Sequence, residues 1–323
     1  MADSWTVLRL LTWTTDYLKS HGSESPRLDA EVLLAHARNC ERIMLYAAFD
    51  DVVPDDVRAQ FRDLVKRRAE GTPVAYLVGK REFYSLSFRV TPDVLIPRPE
   101  TEFVVVAALD ALGAGSSKFK VQSSRPDAEG SGFRVQGSSE EEIQYPKSKI
   151  QNPPQVCDVG TGGGAIAVAI AKQAPDCRVI AIDISPAALA VAKENARAHQ
   201  VSERIEFLEG DLLAPIPAEP RFTVIASNPP YVSDSEYAAL APQVKDHEPR
   251  LALIAGPTGA EIIERLIPQA AERLLPGGWL ILEISPMIAS RVIELIDDDG
   301  RFEPATTVRD LAGLARVIKA RKR

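Results

Sequence analysis

The chain has 323 residues, of which 45% are hydrophobic and 26% charged, with a formal net charge of −7. That length suits two domains with a sizeable core. The acidic balance argues against a surface built mainly to hold nucleic acid, and no run of about 18 apolar residues is present to cross a membrane. Met1-Ala2-Asp3-Ser4-Trp5 lacks a basic stretch followed by an apolar one, so no secretory leader is expected. Cys40, Cys157 and Cys177 are odd in number and have no metal-ligand spacing. They are expected to be small core residues in a reducing, cytoplasmic setting, with no metal site. The basic end, Lys319 to Arg323, reads as a solvated tail.

In chain order, residues 1–79 read as a small helical bundle. Val7, Leu8, Leu10, Leu11 and Trp13 keep helical spacing. A second helix starts at Ser25-Pro26, a capping residue before a first-turn proline, and carries Leu28, Val32, Leu33 and Ala37 on one face. A third runs from Pro54 to Glu70 with Val57, Phe61, Leu64 and Val65 inward, and Gly71 stops it. Residues 80–112 form a connection packed with the catalytic domain: Phe83 to Val90 alternates as a strand, Pro97 and Pro99 bracket Arg98, and a helix follows from Thr101 to Leu112. Residues 113–154 are polar and without apolar period, so they read as a flexible insertion.

From residue 155 to 323 short branched apolar runs alternate with helical segments. The runs are 156–160, 178–183, 204–209, 222–228 and 278–284; helices are expected at 165–173, 186–199 and 259–275. Such alternation predicts an α/β fold, a Rossmann-like parallel sheet covered on both faces, closed by strands at 302–308 and 315–319.

Asp158-Val159-Gly160-Thr161-Gly162-Gly163-Gly164 joins the first run to the first helix. Glycines there let the backbone turn tightly and approach a ligand. Asp183 ends the next strand, where a carboxylate can accept both ribose hydroxyls, and Asp211 follows the third, within reach of an adenine. This pattern alone does not separate a dinucleotide from S-adenosylmethionine. The loop's chemistry favours the second: it opens on an acid and holds no base, which disfavours a pyrophosphate and suits a sulfonium and an ammonium.

Asn228-Pro229-Pro230-Tyr231 follows the run 222–227. Two prolines cannot continue a sheet ladder, so the chain leaves it stiffly, with Asn228 held at the carboxyl end of the sheet. A planar amino group conjugated to a carbonyl or ring is a poor nucleophile. The Asn228 side-chain oxygen and the Pro229 carbonyl can accept its N–H groups, and Tyr231 offers a face to pack on it. This pattern predicts methyl transfer to a planar nitrogen, driven by positioning.

The order of motifs resembles the HemK/PrmC family, whose members methylate the glutamine of the Gly-Gly-Gln motif in peptide-chain release factors. The resemblance is carried by Ser25 to Glu31, Arg81 to Leu86, Leu95 to Glu102 (Leu-Ile-Pro-Arg-Pro-Glu-Thr-Glu), Asp158 to Gly164, Ser227 to Tyr231, and Arg309 to Gly313 with Arg316. It covers the chain except 113–154. It implies S-adenosyl-L-methionine as cofactor, S-adenosyl-L-homocysteine as product and a role in translation termination. It also implies cofactor contacts at Gly160 to Gly164, Asp183, Leu212 and Asn228, and glutamine recognition by Asn228 to Tyr231. Pro97 and Arg98 would help wall the pocket, and the bundle would grip the release factor. An Arg98–Glu102 ion pair is the structural alternative for that stretch. No direct nucleic-acid partner is implied, and a monomer is expected. Leu212 stands where many relatives place an aromatic ring, Ser285-Pro286 where they often have glycine, and 113–154 is longer than the usual connection. Two rival acceptors remain on the motifs alone: a glutamine of a ribosomal protein, and an exocyclic amine of a nucleic-acid base.

Overall fold

The computed structural model describes residues 4–114 and 153–323, so the expectation for the insertion falls almost wholly outside the described residues. The bundle comprises α1 (Val7–Ser20), α2 (Pro26–Ala37), α3 (Met44–Ala47), α4 (Asp55–Ala69) and α5 (Val74–Val78), around a core of its own that includes Leu11, Leu33, Leu34 and Phe61. Thr6 caps α1 by accepting the Arg9 amide. α4 carries Asp55 and Asp56 in its first turn and Lys66, Arg67 and Arg68 in its last, matching the helix dipole at both ends.

The buried stripe of α2 is Ala30, Leu33, Leu34 and Ala37, whereas Leu28 is 44% exposed, so the expected face was rotated. The reason is electrostatic. Asp29 and Glu31 turn inward to Arg68 at 2.8 Å and to Arg27 and Tyr46 at 2.7 Å, and Leu28 is left outside. The Ser25 side chain makes no capping bond. On α1, Leu8 and Trp13 likewise face solvent.

Residues 80–89 are a hairpin, not the single strand expected at 83–90. β1 (Lys80–Phe83) pairs antiparallel with β2 (Leu86–Arg89). Tyr84 and Ser85 turn the chain with φ of 51° and 58°, the type I′ pattern usually given to Asn-Gly. Glu102 helps hold this strained turn by accepting the Tyr84 amide at 2.9 Å. A short 3-10 turn, Pro99–Thr101, leads into α6 (Glu102–Ala111).

The second half follows in order as β3 (Gln155–Val159), α7 (Ala165–Gln173), β4 (Arg178–Asp183), α8 (Pro186–Ala198), β5 (Ile205–Glu209) and β6 (Phe222–Ser227). Next come β7 (Val232–Ser233), α9 (Asp234–Ala239), α10 (Pro242–Lys245) and β8 (Ile254–Gly256). α11 (Glu261–Arg273), β9 (Leu274–Glu283), α12 (Ala289–Asp299), β10 (Thr306–Arg309) and β11 (Ala315–Arg321) complete the chain. The large sheet has the order β10-β11-β9-β6-β3-β4-β5, with β9 to β5 parallel and β11 and β10 antiparallel at one edge. α6, α7 and the hairpin phenylalanines 83 and 88 cover one face, and α11 and α12 the other. Cys157 and Cys177 are buried. The basic end is no solvated tail: β11 runs to Arg321, Lys319 lies over the Trp279 ring, and the Lys322 amide bonds the Gly278 carbonyl.

Asn195 of α8 ties the hairpin to the sheet. Its side chain accepts the Arg89 amide at 2.8 Å and donates to the carbonyls of Arg89 and Gly163 at 3.0 and 2.8 Å. The residue is buried, so truncation strands three polar groups. Asn195→Ala is expected to lower unfolding free energy by about 3 kcal/mol in a urea titration, at roughly 1 kcal/mol per lost bond.

Candidate active site

The sheet order reverses direction between β3 and β6, the point at which open α/β sheets hold their ligands. Pairing sets Val159 level with Ile182 on one side and Ser227 on the other. The Ser227 hydroxyl then donates to the Val159 carbonyl at 2.7 Å, fastening the two strand ends. A cavity of about 310 Å³ opens beyond these ends, within the size range of small-ligand sites.

The glycine loop lines it with Gly160, Thr161, Gly162 and Gly163. Gly160 and Gly162 have φ of 70° and 54°, the left-handed region that favours glycine, and open space where a side chain would stand. Gly164 is turned away: a Cβ there would meet that of Ala192 at 3.1 Å, so its role is close packing of α7 on α8. Asp183 also lines the cavity and anchors the loop, accepting the Gly162 amide at 2.8 Å and the Ser185 amide at 2.9 Å. Burial pushes its carboxyl upward, against those amides, which favour the charged form.

Asp158 is not among the lining residues. It is fully buried, and its Oδ2 accepts the Thr161 hydroxyl at 2.6 Å and the Ala167 amide at 3.1 Å. Its Oδ1 is buried without a hydrogen-bond partner. Burial raises its pKa to about 7, offset in part by those two donors and reinforced by Asp183. The side chain therefore holds the turn from inside, through Thr161 and the Ala167 amide. Asp211 and Leu212 both line the cavity, Asp211 being ion-paired to Arg265 and Leu212 holding φ at 52°.

On the opposite wall stand Pro97, Thr101, Asn228 and Pro230. Asn228 donates from Nδ2 to the Thr101 hydroxyl oxygen at 3.1 Å, and its Oδ1 has no protein donor among the described residues. Pro229 is buried behind it. Tyr231 sits behind the wall, its hydroxyl donating to Glu283 Oε1 at 3.2 Å. Burial first, then the neighbouring Glu283, hold the phenol above its ordinary value. Arg98 does not line the cavity; it pairs with Glu248, which also accepts the Ile96 amide at 3.3 Å. The Arg98–Glu102 pair is not formed.

Residues 9–79 match the family described as PrmC N-terminal domain, and residues 146–247 match the methyltransferase small domain. A release factor glutamine methyltransferase of Rhodopirellula baltica is 47% identical over 98% of this chain and 97% of its own length. The chain belongs to the release factor glutamine methyltransferase family. Members from Koribacter versatilis and Geobacter sulfurreducens are 37% and 36% identical, over 95% and 98% of the chain and 95% and 97% of their own lengths. The fold is that of the hMettl16 catalytic domain, solved in complex with MAT2A 3'UTR hairpin 6. That structure has a TM-score of 0.51 at 16% identity, covering 80% of this chain and 81% of that one. The family's methyltransferase fold is thus present here, with its helical N-terminal domain.

Sequence reading missed Thr101, Glu283 and Glu248. Thr101 lay inside the quoted Leu95 to Glu102 stretch. Glu283 could have been flagged as an acid closing an apolar run at the carboxyl end of a parallel strand, one place beyond Leu282, which pairs with Ser227. Glu248 has no local signal, since its partners lie about 150 residues away. Among the described residues no helix is long and apolar enough to cross a membrane. Ser285 opens a 3-10 turn by accepting the Met287 amide, so the departure from glycine is accommodated.

The raised Asp158 pKa has a stability consequence. The folded state holds the proton more tightly than the unfolded chain, so stability present below about pH 4 is lost as pH rises through about 7. Asp158→Asn keeps an acceptor for Thr161 and Ala167 without the buried charge. Its Tm relative to the unsubstituted protein should climb by a few degrees between pH 5 and pH 8, measured by thermal melts across that range.

Proposed function

We propose that this protein transfers a methyl group from S-adenosylmethionine to the side-chain amide nitrogen of the glutamine in the Gly-Gly-Gln motif of peptide-chain release factors, in the cytoplasm. One observation carries the chemistry: the Asn228 amide is tethered by its nitrogen to Thr101, so its oxygen is the end offered to a ligand. An oxygen acceptor is what a primary amide, with its two N–H donors, needs. Family membership supports glutamine as the acceptor and the release factor as its carrier.

The residues fit the cofactor. The open backbone at Gly160 and Gly162 would admit its amino-acid portion, Asp183 would accept the ribose hydroxyls, and Leu212 and the exposed Ile184 would flank the adenine. When bound, S-adenosylmethionine supplies an electrophilic methyl on a sulfonium. The protein's part is to make the amide nitrogen a competent nucleophile. Asn228 Oδ1 and the Pro229 carbonyl accept its two N–H groups and turn the lone pair towards the methyl. As the N–C bond forms and the methyl–sulfur bond breaks, with the bonding pair kept by the departing sulfur, those oxygens would stabilise the positive charge on nitrogen until its surplus proton passes to solvent water. Orientation of this kind is worth at most about 7–11 kcal/mol. Pro230 would wall the planar group, with Tyr231 supporting the turn from behind, and the bundle would hold the body of the release factor.

Radiolabelled methyl transfer, run in parallel on purified release factor, ribosomal proteins and DNA, tests the reading. Label is expected in the release factor and is expected to vanish when its Gly-Gly-Gln glutamine is replaced. Label entering only DNA or only a ribosomal protein would overturn it. Asn228→Ala should bind S-adenosylmethionine within a few-fold of the unsubstituted protein while kcat falls by about 10²-fold or more, as for loss of a charge-stabilising group. An unchanged kcat would remove Asn228 from the mechanism.

A further inference from the structure

The run Arg309 to Gly313 with Arg316 carries part of the family resemblance, yet nothing in the chemistry above uses it. In the fold it is the turn between β10 and β11, tied from within. The Asp310 amide donates to the Leu314 carbonyl and the Gly313 amide to the Asp310 carbonyl, both at 2.9 Å. Asp310 Oδ1 accepts the Ala312 and Leu314 amides at 2.9 Å, and Oδ2 accepts Arg316 Nε at 2.8 Å. Arg309 donates to the Gly313 carbonyl at 2.8 Å. Arg316 also pairs with Glu100 at 3.7 Å, which ties the turn to the cavity wall next to Thr101.

What this framework holds out is apolar. Leu311, at the tip, is fully exposed at 107%, and Leu314 is exposed at 44%. The Ile284 amide bonds the Arg316 carbonyl at 2.9 Å, so Leu314 and Met287 emerge beyond the same strand ends, and Met287 is 80% exposed. A lone exposed leucine is ordinary. Here it stands on a turn fixed by its own hydrogen bonds, with further apolar side chains leaving the same sheet edge. Such a turn is shaped for contact, because a segment already ordered loses little entropy when it docks.

The sheet says which molecule makes the contact. Gly160 to Gly163, Asp183 and Asp211 to Leu212, the proposed cofactor contacts, follow β3, β4 and β5. Asn228 follows β6, at the border of that half, and β9, β11 and β10 lie beyond it. In-line transfer sets the attacking nitrogen on the far side of the methyl from the sulfur, which leaves the β9-β11-β10 half to the acceptor's chain. β11 pairs antiparallel with β9, Val317 opposite Glu283, so the turn before Ala315 stands at the same edge as Asn228. Two strand spacings of about 4.8 Å put β11 roughly 10 Å from β6, a span of about three extended residues.

We propose that the turn at 310–314 is a preformed docking knob for the protein substrate. Leu311, with Leu314 and Met287 at the same edge, seats in an apolar recess of the release factor close to the acceptor glutamine. The inference rests on the reading of a release factor as substrate. It adds to that reading a second point of grip, on the catalytic domain and apart from the bundle.

The test uses the full-length protein and purified release factor. Kd is read from the anisotropy of labelled release factor with S-adenosylhomocysteine present, so no turnover is needed. Leu311→Ser and Leu311→Asp should raise Kd and KM for release factor by about 10-fold or more, the loss expected when a leucine no longer leaves water. Saturated kcat and Kd for S-adenosylmethionine should stay within about twofold, and Tm within about 2 °C, since the side chain is fully exposed in the free protein. Leu311→Met, an apolar replacement of similar volume, should keep Kd within about threefold. Asp310→Ala leaves Leu311 in place but unties the turn, and should raise Kd several-fold. Leu275→Ser, at an exposed leucine near the opposite end of β9, is the control and should leave Kd unchanged. Leu311→Asp binding release factor within twofold of the unsubstituted protein would overturn the proposal. So would Asp310→Ala at unchanged Kd, or Leu275→Ser losing as much as Leu311→Ser. A Leu311-dependent dimer seen by light scattering without release factor would show a second copy covering the turn, and would also overturn it. If release factor binds in a Leu311-dependent way but takes no methyl, the acceptor reading fails and the docking surface stands. If it is methylated with no dependence on Leu311, the reverse holds.

Discussion

The level register of four parallel strand ends is the constraint on which the site depends. Pairing puts Val159 beside Ile182 and Ser227, and Ser227 beside Leu282. The chain therefore leaves the sheet at one edge four times, through the glycine loop, Asp183, Asn228 and Glu283. A one-residue slip in β6 would turn Asn228 to the opposite face and leave the glycine loop without its partner wall. The Ser227 hydroxyl on the Val159 carbonyl guards this register with a side-chain bond.

Two of the groups that keep these turns in shape are buried acids, and both cost stability when charged. Asp158 and Glu283 have pKa values raised to about 7 by burial, yet each meets donors that ordinary apolar packing could not orient. Asp158 holds the start of α7 to the loop; Glu283 holds Tyr231. The segment between β2 and α6 is the second wall and belongs to both domains. The Tyr76 hydroxyl, from the bundle, donates to the Val94 carbonyl at 2.7 Å, Glu248 holds Ile96 and Arg98, and Thr101 ends the segment against Asn228. The bundle is thus hydrogen-bonded to the same stretch of chain that carries the contact to the Asn228 amide.

The parts of this arrangement that announce themselves in sequence are those whose chemistry is local. Glycines after a strand and prolines after another dictate their own turns, so Gly160 to Gly163, Asp183 and Asn228 could be placed without a structure. The α/β alternation and the helical bundle were legible for the same reason, as periodicities of single elements. What stayed hidden depends on distant partners. The hairpin turn at Tyr84-Ser85 carries no glycine and borrows Glu102 from the next helix, so it reads as one strand. Leu28 is turned outward while its neighbour Asp29 reaches Arg68 of α4, a partner that its own helix does not reveal. The basic end looks like a tail until β9 is there to pair with it. Arg98 looks suited to Glu102 four residues on, but a more deeply buried acid, Glu248, claims it.

The carboxylates around the cavity bear on how a methyl could be moved to an amide at all. Asp93, Asp183 and Asp211 are the acids that line it, and each is engaged elsewhere: with the Thr91 hydroxyl, with two loop amides, and with Arg265. Glu283 is buried and does not line the cavity; it accepts the Tyr231 hydroxyl. Among the described residues, therefore, each acid lining the cavity already has a partner, and none is offered to a substrate amide as an unengaged base. A nitrogen that stays protonated until the N–C bond forms has to be activated by geometry, through two acceptors that hold its N–H groups and leave its lone pair one direction. On that chemistry the acceptor sense of Asn228 would matter more than any base, and the Thr101 hydroxyl oxygen that takes its nitrogen is the contact that favours it.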